Sequence, residues 1–301
     1  MVAVITGPTA SGKSAVAMAL AARIGGTIIN ADASQLYADL RIISARPTPA
    51  DESLVPHRLY GVLDGDDTAS AARWAEMAKA VIAETIAERR VPVVVGGTGL
   101  YLTTLLDGIA PVPEIDPQMR TAVRAMATAD AAAALAREDP ALAARLHPAD
   151  RQRLLRGLEV VRSTGRSLLA WQAVRAGGIA GDFDIRRLVV ERPRADLHAR
   201  AQARLAAMVA EGALAEVAAL LVRGLADDRP VLRAVGVREF GAVIAGTLPL
   251  EAGIAAAAAA TRQYQKRQCT WGRSQAGDWP RLAAADGDAI AAFVEAFAAG
   301  G

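Results

Sequence analysis

The sequence Gly-Pro-Thr-Ala-Ser-Gly-Lys-Ser at residues 7–14 constrains the fold more than any other feature of the chain. It follows a short apolar run at residues 2–5 and precedes a stretch with helical periodicity at residues 15–24. The order is therefore strand, glycine-bounded loop and helix, which is the context that the G-x-x-x-x-G-K-[ST] pattern of a phosphate-binding P-loop requires. The pattern predicts an α/β sheet with a polyphosphate site at its first loop.

Each fixed position of this pattern has a physical task. Gly7 and Gly12 allow backbone conformations that turn amide groups towards a ligand, and the start of a helix adds partial positive charge. Lys13 is expected to neutralise phosphate oxygens, and the Ser14 hydroxyl is the expected ligand of Mg²⁺. The predicted diphosphate- or nucleotide-binding residues are those of the whole loop: Gly7, Pro8, Thr9, Ala10, Ser11, Gly12, Lys13 and Ser14. The loop does not say to which molecule the phosphates belong.

Composition narrows the classes of protein that this chain represents. Of its 301 residues 52% are hydrophobic, which is enough for one large domain or for one domain with a subdomain. The net charge of +2 does not by itself indicate a nucleic-acid partner. A single cysteine, Cys269, excludes an internal disulfide, and neither it nor the three scattered histidines make a metal site. The chain starts in an apolar strand and has no apolar run of about 20 residues, so we expect a cytoplasmic protein without a membrane span.

The order of apolar segments predicts the architecture. Further strands are expected at residues 27–29, 59–63, 91–95 and 185–191. Further helices are expected at residues 69–89, 197–211, 230–240 and 251–270. Pro47 and Pro49 predict a loop, and from residue 116 to about 178 the pattern is helical throughout. We therefore expect a P-loop NTPase-like parallel sheet core flanked by helices (residues 1–115 and 180–301) with an all-helical insertion subdomain (residues 116–179).

Two loops at strand ends are candidate ligand sites. Asp32 follows the strand at 27–29, and polar residues at the carboxyl end of a strand beside a P-loop lie where open α/β sheets bind ligands. Its alternative roles are helix capping and Mg²⁺ ligation through water. The strand at 91–95 ends in Gly96-Gly97-Thr98-Gly99, where many P-loop enzymes have an acidic metal ligand. This loop offers close approach and an uncharged hydroxyl.

Arginine clusters suggest a large anionic partner without proving one. The helix expected at 149–163 carries several arginines and a single glutamate, Glu159, so a solvated face and contacts to a phosphate backbone fit equally well. Arg200 and Arg204 are four residues apart and project from one helix face. The residues alone leave three classes open: a small-molecule kinase, a nucleotide-dependent switch or motor, and a transferase that uses a diphosphate substrate on a nucleic acid.

Eight segments in order resemble the tRNA dimethylallyltransferase family, the bacterial tRNA A37 isopentenyltransferases. They are GPTASGKS (7–14), NADASQLY (30–37), SARPT (44–48), PHRL (56–59), VVVGGTGLY (93–101), HPADRQRLLRGLEV (147–160), AVGVREF (234–240) and TRQYQKRQCTW (261–271). The adenylate isopentenyltransferases that make cytokinins share the P-loop and the Asp32 region but are less similar in the arginine-rich segments.

The resemblance implies transfer of a dimethylallyl group from dimethylallyl diphosphate to N6 of adenosine 37, next to the anticodon, with release of pyrophosphate. It implies that Asp32, Thr98 and Arg204 are catalytic, that Mg²⁺ is bound at Ser14, and that the enzyme is a monomer whose partner is the tRNA anticodon stem-loop. The positions matching the family's tRNA-binding residues are Asp32, Ala33, Ser34, Gln35, Thr98, Arg120, Gln152, Arg153, Arg156, Arg233 and Arg238.

The chain departs from the family pattern at two positions. The family commonly has Asp-Ser-x-Gln where this chain has Asp32-Ala33-Ser34-Gln35, so a hydroxyl is missing at residue 33 and the sequence leaves open whether Ser34 replaces it. The usual Gly-Thr-Ala-Lys-Pro is here Ile-Ser-Ala-Arg-Pro at residues 43–47, and Ile43 is the non-conservative change. Asp32 and Gln35 are both present, so the expected chemistry is retained.

Overall fold

The computed structural model describes residues 1–283 and 287–299. The strands are β1 (Val2–Thr6), β2 (Gly26–Asn30), β3 (His57–Arg58), β4 (Val91–Gly96), β5 (Ile185–Glu191) and β6 (Arg281–Ala283). The helices of the first half are α1 (Lys13–Ile24), α2 (Pro49–Leu54), α3 (Ala71–Ala87), α4 (Gly99–Asp107), α5 (Pro117–Arg124), α6 (Thr128–Glu138) and α7 (Pro140–Ala143). Those of the second half are α8 (Arg151–Thr164), α9 (Leu168–Gln172), α10 (Arg194–Ala210), α11 (Ala213–Val222), α12 (Val237–Ile244), α13 (Leu250–Gln275) and α14 (Gly287–Ala299).

The strands form one parallel sheet in the order β3-β2-β4-β1-β5-β6. Val93 of β4 is in register with Ala3 of β1 on one side and with Ile28 of β2 on the other. The carboxyl ends of β1, β2 and β4 therefore lie side by side, and the loops that follow them meet at one edge of the sheet. The prediction of a parallel α/β core with a P-loop NTPase-like fold is confirmed.

Helix α1 packs against the sheet through residues spaced as an amphipathic helix requires. Val16, Ala17, Leu20 and Ala21 are all buried and lie on one helix face. They join apolar side chains of β1, β2, β4 and β5 in one cluster. Because this cluster joins Val16 and Ala17 near the start of α1 to Ile5 near the end of β1, it holds the start of α1 in a fixed position at the end of β1.

The chain divides into two compact units. The first comprises residues 1–105 and 180–301, and the second comprises residues 106–179 and begins earlier than the expected residue 116. The second unit contains α5 to α9 around its own apolar core, formed by Val123, Ala131, Ala134, Leu135, Leu142, Leu154 and Leu158. Its role in binding tRNA stays a prediction.

Three local predictions are wrong. Residues 59–63 are not a strand, since Leu59 and Gly61 both have positive φ angles and the third strand is only His57–Arg58. Pro49 starts helix α2 instead of extending a loop, because Thr48 caps this helix and proline suits its first turn. Residues 230–240 are not one helix, because a short 3₁₀ turn is separated from α12 by Gly236, with φ 100°.

Among the described helices, none alone is long and apolar enough to cross a membrane. The bent pair α10 and α11 meets that test in length and composition only.

Candidate active site

A cavity of about 320 Å³ opens at the edge of the sheet where β1, β2 and β4 end. Its wall includes all four tyrosines of the chain, Tyr37, Tyr60, Tyr101 and Tyr264. It also includes residues of the first loop, the segment after β2, and α10 and α13. The cavity therefore combines an aromatic wall with three residues of the predicted phosphate-binding loop, Thr9, Lys13 and Ser14.

The first loop has the backbone conformation that its sequence predicts. Gly12 precedes α1 with φ 100°, and a Cβ added at Gly7 would overlap the carbonyl oxygen of Val190. Ala10 has a positive φ of 70°, which is uncommon for a residue with a side chain. Lys13, at the start of α1, has no carbonyl within the helix to which its amide can donate. The turn thus presents a helix start to the cavity.

Side chains from distant parts of the chain hold the outer side of this loop. Gln268 accepts a hydrogen bond from the Thr9 amide through Oε1 (2.8 Å), and its Nε2 donates to the Gly97 carbonyl (3.1 Å). Gln265 donates to the Thr9 carbonyl (2.9 Å). Arg200 donates through Nε to the carbonyl of Ala10 at 3.1 Å. The Thr9 amide is therefore engaged by Gln268, and the loop is fixed by α10 and α13.

Asp32 is the carboxylate of the cavity, and its surroundings fix its orientation. Its Oδ1 accepts hydrogen bonds from the Ser34 amide (3.0 Å) and the Ser34 hydroxyl (2.7 Å). The buried Asn30 side chain accepts from the Asp32 amide (2.7 Å) and donates to the Asp32 carbonyl (3.0 Å). Thr98 Oγ1 accepts from the Ala33 amide (3.0 Å) and lies 3.5 Å from the Tyr264 hydroxyl. Three successive amides, at residues 32, 33 and 34, are thus each bonded to a side chain.

The charges in the cavity act on one another. Burial lowers the pKa of Lys13 to about 8, although the Asp32 carboxylate opposes this shift. Burial also lowers the pKa of Arg204, again opposed by Asp32. The pKa of Tyr264 is raised by burial first and then by the charge of Asp32, and the pKa of Tyr60 shifts in the same direction for the same reasons. One carboxylate therefore lies between two cations and neutral phenols.

Gln35 is held by a turn that a second helix supports. Its side-chain amide donates to the carbonyls of Ser44 (3.0 Å) and Ala45 (2.8 Å). The Glu216 carboxylate of α11 accepts from three successive amides of this turn, at residues 41, 42 and 43. The non-conservative Ile43 is buried, and a Cβ added at Gly236 would overlap its side chain. Ile43 therefore fills space above a glycine at the start of α12.

The structure brings most of the predicted site residues of the first unit to this cavity. Those that line it are Thr9, Lys13, Ser14, Asp32, Ala33, Ser34, Gln35, Arg204 and Arg233. Thr98 contacts this wall through Ala33 and Tyr264, whereas Arg238 is exposed on α12. The other predicted residues of the first loop do not line this cavity, and two of them, Gly7 and Pro8, line a second cavity instead; the five are Gly7, Pro8, Ala10, Ser11 and Gly12. Arg120, Gln152, Arg153 and Arg156 belong to the second unit.

In the second unit the arginine-rich helix is α8, and its arginines are partly paired. Arg153 contacts Asp150 at 2.9 Å with its own side chain 73% exposed. Arg156 lies 3.6 Å from Glu159, whose buried carboxylate also contacts Arg124 at 3.2 Å. An exposed, singly paired arginine such as Arg153 is available to a phosphate, so the choice between a solvated face and a binding face stays open.

Comparison with known proteins identifies the family. A family model described as IPP transferase matches residues 35–275. A tRNA dimethylallyltransferase from Sphingopyxis alaskensis is 58% identical over 281 residues, covering 93% of this chain and 92% of that protein. The chain belongs to the IPP transferase family. A second tRNA dimethylallyltransferase, from Zymomonas mobilis, is 49% identical and covers 93% of this chain and 90% of that protein. The resemblance seen in the eight segments is confirmed.

Solved structures of IPP transferase relatives share the fold. The full-length tRNA isopentenylpyrophosphate transferase from Bacillus halodurans is 29% identical with a TM-score of 0.70, covering 99% of this chain and 95% of that one. A eukaryotic dimethylallyltransferase acting on tRNA is 27% identical with a TM-score of 0.81, covering 95% of this chain and 74% of that one. The similarity therefore extends over nearly the whole of this family member.

The sequence analysis did not identify the four tyrosines, nor Gln265 and Gln268 of α13, as site residues. Tyr37, Tyr101 and Tyr264 lie within family segments, and Tyr60 directly follows one. In a chain with 4% aromatic residues, the presence of every tyrosine in or beside a motif was a usable signal. Gln265 and Gln268 also lie within a family segment, but nothing in that segment indicates their contacts with Thr9, which is 256 and 259 positions away.

The oxygen donors near the first loop fit Mg²⁺ that is bound together with a phosphate ligand. They do not fit a metal ion that the protein would hold alone. Within residues 1–283 and 287–299 no cluster of three His, Cys, Asp or Glu side chains is placed to hold a metal ion. The Ser14 hydroxyl and the Asp32 carboxylate both line the cavity. Mg²⁺ prefers oxygen ligands and usually keeps several waters, binding through one or two protein groups together with substrate phosphates. The site thus suits an ion that arrives with a diphosphate.

Proposed function

We propose that this chain transfers the dimethylallyl group of dimethylallyl diphosphate to N6 of adenosine 37 in tRNA, giving N6-dimethylallyladenosine and pyrophosphate. The observation that carries the proposal is the position of Asp32 in the same cavity as Lys13, Ser14 and Arg204. A base for the acceptor amine and cations for a diphosphate are thus present in one space. Membership of the IPP transferase family supports the same reaction.

Asp32 acts as the general base. The lone pair of adenine N6 is delocalised into the ring, so the amine is a weak nucleophile until its proton is removed. As N6 attacks C1 of the dimethylallyl group, the C1–O bond breaks and pyrophosphate leaves with the bonding electron pair. The N6 proton passes to the Asp32 carboxylate, and such help is worth about 10²–10⁴-fold in rate.

The P-loop and its neighbours stabilise the charge on the departing diphosphate. Lys13 and the half-buried Arg204 lie in the cavity, and Arg204 offers the two-pronged contact that suits phosphate oxygens. The amides at the start of α1 add hydrogen-bond donors where the negative charge develops. The Thr98 hydroxyl accepts from Ala33 and lies 3.5 Å from the Tyr264 hydroxyl, so it can donate its proton to a phosphate oxygen in place of that contact. Mg²⁺ at Ser14, when bound, supplies further positive charge to the phosphate oxygens.

The acceptor is a nucleotide taken out of its stack. A base stacked between its neighbours exposes neither N6 nor its ring face to an enclosed carboxylate, so it is flipped into the cavity. The tyrosine wall provides faces on which a flat base packs. We assign the anticodon stem-loop to Arg233 and Arg238 of the first unit and to Arg120, Gln152, Arg153 and Arg156 of the second.

The first unit of a single chain supplies all the groups that this reaction uses. The reaction therefore requires no second copy of the chain, and we assign the enzyme as a monomer. Because the acceptor is tRNA, we place the reaction in the cytoplasm. The ligands are dimethylallyl diphosphate, Mg²⁺ and tRNA.

Incubation with radiolabelled dimethylallyl diphosphate tests the proposal. Three acceptors are compared: unmodified tRNA, the same tRNA with guanosine in place of adenosine 37, and AMP. We expect label in the first tRNA alone. Label in AMP alone would identify the protein as an adenylate isopentenyltransferase. Equal label in both tRNAs would show that adenosine 37 is not the acceptor.

A further inference from the structure

We propose that Ser34 is a positioning residue, which holds one oxygen of Asp32 so that the other oxygen faces the acceptor amine. This inference rests on the proposed function, in which Asp32 is the base. It assigns to Ser34 a role in orienting the base, in place of the tRNA contact that the family resemblance implies for it.

The first support is the asymmetry of the two carboxylate oxygens. Oδ1 of Asp32 accepts from both the Ser34 amide (3.0 Å) and the Ser34 hydroxyl (2.7 Å). In the described part of the chain Oδ2 accepts no hydrogen bond, and Asp32 and Ser34 both line the cavity. At 2.7 Å, the contact between the Ser34 hydroxyl and the Asp32 carboxylate is a charge-assisted hydrogen bond of normal length. One oxygen is therefore occupied and the other is open to a ligand.

The second support is that the loop does not need the Ser34 hydroxyl for its own shape. Its backbone is fixed by Asn30, which bonds the amide and carbonyl of Asp32, and by Thr98, which accepts from the Ala33 amide. The Ser34 amide already completes the local turn with Asp32. The hydroxyl adds only the bond to the carboxylate, so its effect falls on the orientation of that group.

The third support is the torsional freedom of the carboxylate. The terminal torsion of an aspartate is broad, so the plane of the carboxylate turns easily unless hydrogen bonds hold it. The Ser34 amide and the Ser34 hydroxyl together, both donating to Oδ1, hold the plane of the carboxylate. With the amide as the only donor, the carboxylate could still turn about that single hydrogen bond. In this chain residue 33 is alanine, which has no hydroxyl, and Ser34 supplies the hydroxyl bond to the carboxylate.

The test compares Ser34→Ala with Ser34→Thr, which keeps the hydroxyl, and with Ser53→Ala, which removes an exposed hydroxyl on α2 that bonds the Ala50 carbonyl. Single-turnover prenyl transfer to tRNA gives the rate of the chemical step, and initial rates at steady state give kcat and the KM values for dimethylallyl diphosphate and tRNA. We expect Ser34→Ala to lower kcat by about 10- to 100-fold, below the full effect of a general base, with both KM values within about twofold. Ser34→Thr should recover most of the rate, and Ser53→Ala should match the parent.

The outcomes separate this inference from the proposed function. A parent enzyme that transfers label to tRNA, together with a Ser34→Ala variant of equal kcat, would overturn the role of Ser34 and leave the function intact. A loss in Ser34→Ala that appears in KM for tRNA, or that Ser34→Thr does not recover, would make Ser34 a tRNA contact instead. A parent that transfers no label to tRNA would overturn both.

Discussion

Replacing Asp32 by asparagine removes the proposed base with little change of shape. Oδ1 of the new side chain can still accept from Ser34, so the amide nitrogen takes the position of Oδ2. That nitrogen donates hydrogen bonds, as does the adenine amine, and it accepts no proton. The whole general-base contribution should be lost, which is about 10²–10⁴-fold in the rate of the chemical step, or roughly 3–5 kcal/mol at 1.36 kcal/mol per tenfold.

Single-turnover transfer from labelled dimethylallyl diphosphate measures this loss, and a filter-binding assay measures tRNA affinity. Asp32 is 8% exposed at the base of the cavity, so the affinity for the stem-loop should change far less than the rate. A thermal unfolding curve close to that of the parent shows that the fold is intact. Retention of more than about a tenth of the activity would refute the assignment of Asp32 as the base.

Three further predictions follow from other parts of the chain. Replacing Arg153 and Arg156 together by alanine should weaken tRNA binding and reduce the slope of log affinity against log salt concentration by about two. An unchanged slope would mean that both arginines lie on a solvated face and do not contact the phosphate backbone. Gly96→Ala should lower the free energy of unfolding in urea by about 1–3 kcal/mol or more, because the added Cβ overlaps the backbone after β2. Gly272→Ala, whose added Cβ meets open space, should leave the free energy of unfolding unchanged. Equal urea midpoints for the Gly96→Ala and Gly272→Ala variants would contradict this packing. Since burial sets the pKa of Lys13 at about 8, its charged form is present below that pH and lost above it. The kcat/KM for dimethylallyl diphosphate, which reports the free enzyme, should therefore fall as pH rises through 8, and a flat profile would contradict a role for this charge.

The parts of the site that the sequence predicts are those determined by short segments. Gly7, Gly12 and Lys13 lie within one turn, and their spacing alone specifies the loop and its position after a strand. Asp32 comes two residues after the end of β2, and Gly96 is the last residue of the neighbouring strand β4, so the rule for parallel sheets brings them to one edge. Local pattern and sheet topology together are sufficient for these residues.

The parts that the sequence does not predict depend on contacts between distant segments or on side-chain torsions. Gln268 reaches the loop from α13, and no periodicity marks such a contact. Strand β6 has three residues and exists because it pairs with β5, and β3 has only two. The bond from the Ser34 hydroxyl to Asp32 depends on the rotamers of two side chains, which the order of residues does not determine.

The most direct test of the central claim is which bond this P-loop enzyme breaks, the C1–O bond of dimethylallyl diphosphate or the bond to the γ-phosphoryl group of ATP. A kinase orients a γ-phosphoryl group, usually with acidic metal ligands, whereas here the strand β4 beside β1 ends in Gly96-Gly97-Thr98-Gly99. Pyrophosphate release from dimethylallyl diphosphate and ADP formation from ATP are measured in parallel, each with and without unmodified tRNA. We predict tRNA-dependent pyrophosphate release in an amount equal to that of the prenyl group found in tRNA. Acceptor-dependent ADP formation without prenyl transfer would contradict it.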